Sequence, residues 1–203
     1  MIIGITGGTG SGKTTLLKVI GQAGGVILDC DAIYHQLLLT NEDLLKAIED
    51  RFPGTVKDGI LDKKALGNRV FADEKELQEL NRITHGAVTK EVMERLKEKP
   101  SVAAIDAIGL FESGIAKLCD ATVAVTAPEE VRIQRLMARD GISESYAKMR
   151  INAQHTEDWF RENCDYVLEN EGTEQEFRRK CIAFLQNLGI IEEKPLGGQK
   201  YDN

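Results

Sequence analysis

Residues 7–14 of this chain read GGTGSGKT, and this motif is the clearest indication of its fold. It matches G-x-x-x-x-G-K-[ST], a pattern in which a glycine-rich loop surrounds the phosphates of a nucleotide with backbone N–H donors. Glycine suits such a loop because it lacks a Cβ and lets the backbone turn sharply close to the phosphates. We expect Lys13 to contact the β- and γ-phosphates and the Thr14 hydroxyl to hold Mg²⁺. This phosphate loop therefore predicts a site for a nucleoside triphosphate such as ATP.

The segments on either side of the phosphate loop fit a strand and a helix. Residues 1–6, MIIGIT, form a short apolar run that is typical of a buried parallel strand. Apolar residues then recur at near-helical spacing over 16–20, so the phosphates would lie at the positive end of a helix. This order disfavours the alternative of an ordinary glycine-rich turn. The residues that we predict to bind the nucleotide here are Gly8, Thr9, Gly10, Ser11, Gly12, Lys13, Thr14 and Thr15.

Composition limits the classes of protein that the chain can represent. Its 203 residues, 42% hydrophobic and 29% charged, fit one globular domain with an insertion. A net charge of −7 argues against broad binding to nucleic acid, which needs a basic surface.

The first apolar run lacks a basic region before it, and no stretch has the roughly 18 apolar residues of a membrane span. The four scattered cysteines favour free thiols, so we expect a cytoplasmic protein, a monomer or a weak homo-oligomer, without a membrane partner.

Further apolar runs predict a parallel sheet. They lie at 26–29, 102–105, 121–126 and 166–168. Helical patterns separate them, including 129–139 and 174–188. We therefore predict an α/β fold of the P-loop NTPase type, with a five-stranded parallel sheet flanked by helices. Ligands should gather at the carboxyl ends of the strands.

The segment 31–99 interrupts this alternation because it is long, charged and helical in pattern. We predict helices at 41–51, 62–71 and 74–97, turns at 53–54 and 58–59, and no strand. A helical insertion between the second and third strands is where a phosphoryl acceptor would bind, although extra packing is the alternative.

A second helical stretch, 139–156, is expected to form a lid over the bound phosphates. Such a lid would exclude water while a phosphoryl group is transferred. We thus predict one kinase domain over 1–190, with its core at 1–30 and 100–190, and a disordered tail at 191–203.

Acidic residues follow the second and third strands. Asp31 lies just beyond 26–29, where it would orient or deprotonate the attacking hydroxyl, or else cap the next helix. Asp106 ends the third run and is a candidate to assist the metal, and Glu112 is another candidate. A plain loop carboxylate is the alternative for both.

Three arginines, Arg132, Arg135 and Arg139, recur at spacings that place them on one helix face. We expect Arg139 to contact phosphate as a catalytic residue and Arg132 to lie on a solvated face. His85 in the insertion would contact an acceptor phosphate or a polar network. Asn170, after the last strand, is a candidate adenine contact, which a simple turn explains equally well.

With these residues in place, the chain resembles the dephospho-coenzyme A kinase family over nearly its whole length to about residue 188. The motifs that carry the resemblance are ITGGTGSGKTT, VILDCDAI, GILDKKALGNRVF, LNRITHGAV, GLFESG, CDATVAVTAPEEVRIQRLMARDGIS and DYVLENEGT. The resemblance implies an ATP-dependent phosphotransferase with an alcohol acceptor. It would move the γ-phosphoryl group of ATP, with Mg²⁺, to the ribose 3′-hydroxyl of dephospho-coenzyme A in the last step of coenzyme A synthesis.

By position, the resemblance implies roles for individual residues. Lys13 and Asp31 match the loop lysine and the second aspartate of the family's DAD motif. The residues implied to bind the acceptor are Asp31, Lys63, Arg69, His85 and Arg150. The chain departs from the family at Lys63, where arginine is usual, and at Gly86 and Gly109, where proline is usual. These departures bear on contacts to the acceptor more than on the reaction.

Two other classes of protein share the loop. Another small-molecule kinase, acting on nucleosides or their monophosphates, would share the insertion and the lid as well. A regulatory GTPase would need a guanine-selecting [NT]-K-x-D, but Thr126-Ala127-Pro128-Glu129 follows the fourth strand instead.

Overall fold

The computed structural model describes residues 1–192. The strands are β1 (Ile2–Thr6), β2 (Val26–Asp29), β3 (Val56–Lys57), β4 (Ile60–Leu61), β5 (Ala103–Asp106), β6 (Ala121–Thr126) and β7 (Tyr166–Glu169). The helices are α1 (Lys13–Gln22), α2 (Cys30–Thr40), α3 (Glu42–Arg51), α4 (Lys63–Val70), α5 (Glu74–Leu96), α6 (Glu129–Asp140), α7 (Glu144–Asn152), α8 (Glu157–Asn163) and α9 (Glu174–Asn187). A short 3₁₀ helix covers Ile115–Leu118.

Five strands form the parallel sheet in the order β2-β5-β1-β6-β7. The central strand β1 pairs with β5 on one side and β6 on the other, which explains its continuous apolar sequence. In the register, Asp106 lies opposite both Ile5 and Asp29. The strand ends therefore bring the phosphate loop, the start of α2 and Asp106 to one edge of the sheet.

Apolar clusters cover both faces of this sheet. On one face, Ile5 and Val123 pack with Leu16 of α1 and Phe177 of α9. On the other, Leu28 and Ile105 pack against the insertion helices α2 to α5. The predicted α/β fold with helices on both faces of a five-stranded parallel sheet is confirmed.

The insertion contains one feature that we did not expect. Its strands β3 and β4 form a short antiparallel hairpin, with Val56 opposite Leu61. The turn at Asp58 and Gly59 has φ of 53° and 74°, as a two-residue hairpin turn requires. The turn was predicted, but the expectation of no strand was wrong, because two-residue strands are too short to show an alternating pattern.

The predicted helical stretch 139–156 contains the end of α6 and the whole of α7. Helix α6 continues to Asp140 and ends at Gly141, whose φ of 65° closes a left-handed C-cap. Helix α7 then begins after Ser143 and packs back on α6 through Ile133, Leu136, Ala147 and Ile151.

The structure describes the first two residues of the predicted disordered tail, 191–192. Ile191 packs against the core cluster beside α9, so the described part of the tail is ordered by apolar contact. Residues 193–203 lie outside the described residues. Within 1–192, no helix is long and apolar enough to cross a membrane, and the four cysteines are free thiols.

Candidate active site

The phosphate loop has a backbone that only glycine adopts readily at three positions. Gly7, Gly10 and Gly12 have φ of 131°, 79° and 99°. A Cβ on Gly7 would overlap the backbone carbonyl oxygen of Val125 in the neighbouring strand β6. The loop therefore lies directly against the sheet, and Gly12 forms the N-cap of α1.

Arg132 supports this loop from α6. Its Nε donates to the Thr9 carbonyl oxygen at 2.9 Å, and its Nη2 donates to Gln154 Oε1 at 3.3 Å. Gln154 Oε1 also accepts from the Thr9 amide at 2.7 Å. Arg132 is only 6% exposed, so the expectation of a solvated arginine was wrong. A signal was present in the sequence, because Arg132 lies four residues before Leu136, on the face of α6 that carries the apolar residues.

Arg135 and Asn170 support the next part of the loop. Arg135 Nη1 donates to the carbonyl oxygens of Gly10 and Ser11 at 3.2 and 3.1 Å. Asn170 is buried, donates from Nδ2 to Ser11 O at 2.8 Å and accepts from Arg135 at 3.3 Å. A Cβ on Gly12 would overlap this Asn170 amide. The structure thus places Asn170 beneath the loop, and its contact with adenine stays a prediction.

The loop keeps several donors free for an anion. Within residues 1–192, no acceptor lies in hydrogen-bond range of the amides of Gly10, Gly12, Lys13 and Thr14. Ser11 Oγ is buried without a partner among the same residues. In folded proteins most buried polar groups are hydrogen-bonded. This set of unpaired donors at the N-terminus of a helix therefore fits a bound phosphate chain.

Lys13 lies across the loop. Its Nζ donates to the Gly7 carbonyl oxygen at 2.9 Å. Burial lowers the pKa of Lys13, and the charges of Asp106 and Asp31 oppose that effect. These two carboxylates therefore offset part of the cost of burying the ammonium beside the place where phosphates would bind.

A cavity of about 680 Å³ opens above the loop. It is lined by residues 8–14 of the loop and by Asp31, Asp106, Ile108, Arg135, Ala138, Arg139 and Arg150. The structure thus brings together the predicted loop residues, the candidate base and the two lid arginines. Thr15 follows the loop in α1 and does not line this cavity.

The three carboxylates at the sheet edge have different surroundings. Asp29 is the N-cap of α2 and accepts from the Ala32 amide at 2.9 Å, so the alternative of an Asp31 cap was wrong. Asp31 lies in the first turn of α2, exposed to the cavity. Burial raises the pKa of Asp106 to about 6, with Lys13 opposing the rise, and its Oδ1 lacks a partner within 1–192.

The lid arginines share one carboxylate. Arg139 Nε donates to Asp140 Oδ1 at 2.7 Å, and Arg150 Nη1 donates to Asp140 Oδ2 at 2.7 Å. The Arg139 side chain is 61% exposed at the cavity wall. Both guanidinium groups are therefore held near the loop while their remaining donors face solvent.

The remaining predicted acceptor residues lie outside this cavity. His85 lies beside Gly109, where a Cβ would be 3.8 Å from His85 Nε2 and 3.7 Å from Glu112 Oε2. Arg69 lies over the Phe52 ring at 5.7 Å, and Lys63 is exposed in the first turn of α4. Their roles in acceptor binding stay predictions.

A second cavity of about 380 Å³ adjoins Gly7 and Gly8 on the side of the loop that follows β5. Glu112 and His155 form a hydrogen bond of 2.5 Å at its wall. His155 stacks on Trp159 with 3.6 Å between ring centroids. The sequence showed no pairing for His155, because Glu112 is 43 residues away along the chain.

The residues at the main cavity fit Mg²⁺. This ion takes oxygen ligands and is usually held by one or two carboxylates together with substrate phosphates. The Thr14 hydroxyl and Asp106, whose Oδ1 is buried without a partner within 1–192, line the same cavity. In the described part of the chain, no group of three histidines, cysteines or acids could hold a metal ion by itself.

The chain matches the family model described as dephospho-CoA kinase over residues 1–176. A dephospho-CoA kinase of Thermus thermophilus is 37% identical over 190 residues, which are 93% of this chain and 92% of the relative. One of Carboxydothermus hydrogenoformans is 35% identical over 191 residues, which are 91% and 93% of the two chains.

Solved structures agree with this match. A Thermus thermophilus crystal structure has a TM-score of 0.78 at 34% identity and covers 93% of this chain and 97% of its own. Dephospho-CoA kinase from Campylobacter jejuni has a TM-score of 0.66 at 25% identity, with 92% and 96% covered. A shikimate kinase from Bacteroides thetaiotaomicron, at 19% identity and a TM-score of 0.54, shares the fold. Because the family model covers residues 1–176 and relatives at 35–37% identity align with almost the whole chain, the chain belongs to the dephospho-CoA kinase family.

Proposed function

We propose that this member of the family transfers the γ-phosphoryl group of ATP to the ribose 3′-hydroxyl of dephospho-CoA, which yields CoA and ADP. The observation that carries the proposal is the convergence of the phosphate loop, Asp31 and Arg139 on one cavity. Membership of the family supports dephospho-CoA as the acceptor. The geometry of the cavity supports the donor site and the candidate base.

The phosphate loop would hold the donor. The free amides of Gly10, Gly12, Lys13 and Thr14 point to an anion at the N-terminus of α1. Lys13 would exchange its bond to the Gly7 carbonyl oxygen for the β- and γ-phosphates. The supports from Arg132, Arg135 and Asn170 fix the loop before the nucleotide arrives, which lowers the entropic cost of binding.

Thr14 and Asp106 would hold Mg²⁺, which neutralises negative charge on the β- and γ-phosphate oxygens when it is bound. The raised pKa of Asp106, about 6, means that this carboxylate is ionised at neutral pH. Its negative charge would then be available to the metal.

Asp31 would act as the general base. It is exposed to the cavity and is free of the capping role that Asp29 fills. Its carboxylate would take the proton of the acceptor hydroxyl as the oxygen bonds to the γ-phosphorus. The bond from that phosphorus to the bridging oxygen then breaks, and ADP leaves.

Arg139 and Arg150 would neutralise charge that develops on the transferred group. Both lie in the region of α6 and α7 that would close over the donor. His85, Lys63 and Arg69 remain our candidates for contacts to the acceptor, together with cations of the insertion such as Lys64 and Arg82. We expect the reaction to take place in the cytoplasm.

The test is the choice of acceptor. ADP release is measured with ATP, Mg²⁺ and dephospho-CoA, and in parallel with a panel of nucleosides and nucleoside monophosphates. We expect strong stimulation by dephospho-CoA alone. A lack of stimulation, or a stronger response to a nucleoside or its monophosphate, would rule out dephospho-CoA as the acceptor. The remaining hypothesis would then be a kinase that acts on another small molecule.

A further inference from the structure

We propose that Gln154 is a positioning residue, which fixes the phosphate loop for ATP and connects that loop to the lid helix α7. The inference rests on the proposed function, because it assigns a role in donor binding to a side chain outside the loop motif. Gln154 does not line the main cavity, so it would act through Thr9 and Arg132 rather than on ATP itself.

Three hydrogen bonds close a ring around Thr9. Gln154 Oε1 accepts from the Thr9 amide at 2.7 Å and from Arg132 Nη2 at 3.3 Å. Arg132 Nε donates to the Thr9 carbonyl oxygen at 2.9 Å. Both backbone polar groups of Thr9 are thus engaged, so the ring fixes the direction of the loop backbone on either side of Thr9.

The position of Gln154 depends on α7. Gln154 lies two residues beyond the end of the helix, and its backbone N–H donates to the Ile151 carbonyl oxygen at 3.1 Å. Ile151 in turn packs on α6 in the small cluster with Ile133 and Leu136. A displacement of α7 therefore moves the Gln154 carboxamide away from Thr9, so the state of the lid and the shape of the loop are linked.

The next residue along the chain contacts the opposite side of the site. His155 pairs with Glu112, in the loop that follows β5. The side-chain hydrogen bonds of Gln154 reach Thr9 of the donor loop and Arg132, which supports that loop, so the removal of Gln154 should weaken ATP binding without a matching change in affinity for the acceptor. A residue with a merely structural role would disturb both.

The loss of Gln154 Oε1 removes the partner of the Thr9 amide and one acceptor of the buried Arg132 guanidinium. The loop would then sample other directions, and ATP binding would have to restore the original one. Leaving such groups unpaired corresponds to a change of about tenfold in affinity.

The test compares Gln154→Met with wild type, because methionine has a similar volume and lacks the oxygen. ATP binding is measured by titration calorimetry without acceptor, and KM is measured for both substrates. We expect the Kd and KM for ATP to rise about tenfold, while the KM for dephospho-CoA stays within about twofold. Met149→Ala, at a position of α7 that is 57% exposed, should leave all three values near wild type.

An unchanged Kd for ATP, or an equal rise in both KM values, would overturn the proposal. If thermal unfolding shows that Gln154→Met does not fold, the same measurements on Gln154→Asn decide, because this change withdraws the amide by one methylene. Binding of ATP is measured without acceptor, so a failure of the proposed acceptor chemistry would not obscure the result for Gln154.

Discussion

Arg150 of α7 donates from Nη1 to Oδ2 of Asp140, at the end of α6, across 2.7 Å. Asp140 also accepts from Arg139, and the two guanidinium groups lower the pKa of its carboxyl to about 2. Asp140 therefore stays ionised across the pH range in which a kinase works. It keeps both arginines together at the cavity wall.

Arg139→Ala should lower kcat by about 10³-fold or more, because an arginine that stabilises the transferred phosphoryl group is removed. Arg139→Lys should recover only part of this loss, since lysine keeps the charge without the planar fork. Steady-state ADP release measures both. Arg179→Ala, an exposed arginine of α9, serves as the control. Turnover within a few-fold of wild type in Arg139→Ala would remove this residue from the mechanism.

Asp31→Asn should lower kcat by about 10²-fold or more and leave ATP binding nearly intact, because the amide cannot take the hydroxyl proton. Single-turnover transfer and ATP calorimetry separate the two effects. Asp29→Asn is a matched control, because asparagine also caps helices and Asp29 does not line the cavity. Equal rates for the Asp31 variant and wild type would show that another group is the base.

Gly7→Ala should destabilise the fold by about 2 kcal/mol more than Gly54→Ala. Both glycines have positive φ, 131° and 85°, so both changes add backbone strain. At Gly7 the new Cβ also overlaps the Val125 carbonyl oxygen, whereas at Gly54 no atom lies within 4 Å. Urea unfolding of the two variants measures the difference. Equal losses would mean that β6 moves away from the loop without cost.

Asp106→Asn should change how stability depends on pH. The pKa of Asp106 is about 6 in the fold against 3.8 in the unfolded chain. Its contribution to stability is therefore fully present below pH 3.8 and is lost as pH rises through about 6. The variant avoids this loss, so its free energy of unfolding relative to wild type should be higher at pH 8 than at pH 5, by about 1–1.5 kcal/mol.

Urea unfolding at the two pH values measures this effect. Asp50→Asn makes the same chemical change at an exposed position of α3 and is the control. A difference between the Asp106 variant and wild type that is the same at both pH values would contradict the raised pKa.

The sheet was predictable because its strands are buried on both faces, and such strands appear as continuous apolar runs separated by amphipathic helices. Predicted strand bounds differ from the observed ones by one residue at β1, β5 and β7. The geometry of the phosphate loop was predictable from the motif, because this spacing of glycines, lysine and threonine is typical of a loop that surrounds phosphates. Asp31 was placed at the sheet edge by the same reasoning.

The supports of the loop were not predictable in the same way. Gln154 is 145 residues from Thr9, and Arg132 is 123 residues from it. Neither contact leaves a local pattern, because each depends on how α6 and α7 pack across the loop. The cap of α2 was assigned to Asp31 as an alternative, whereas Asp29 fills it, since two nearby aspartates have equal propensity for that position.

The chain has a single tryptophan, and the fold stacks it on His155 with an angle of 7° between the rings. Trp159 also meets Phe111 edge to face, in the loop that follows β5. The protein thus contains one intrinsic fluorophore at the junction between α8 and the loop that follows β5. Emission from this indole depends on the imidazole beside it, so stopped-flow fluorescence can time the movement of this junction in the unlabelled protein.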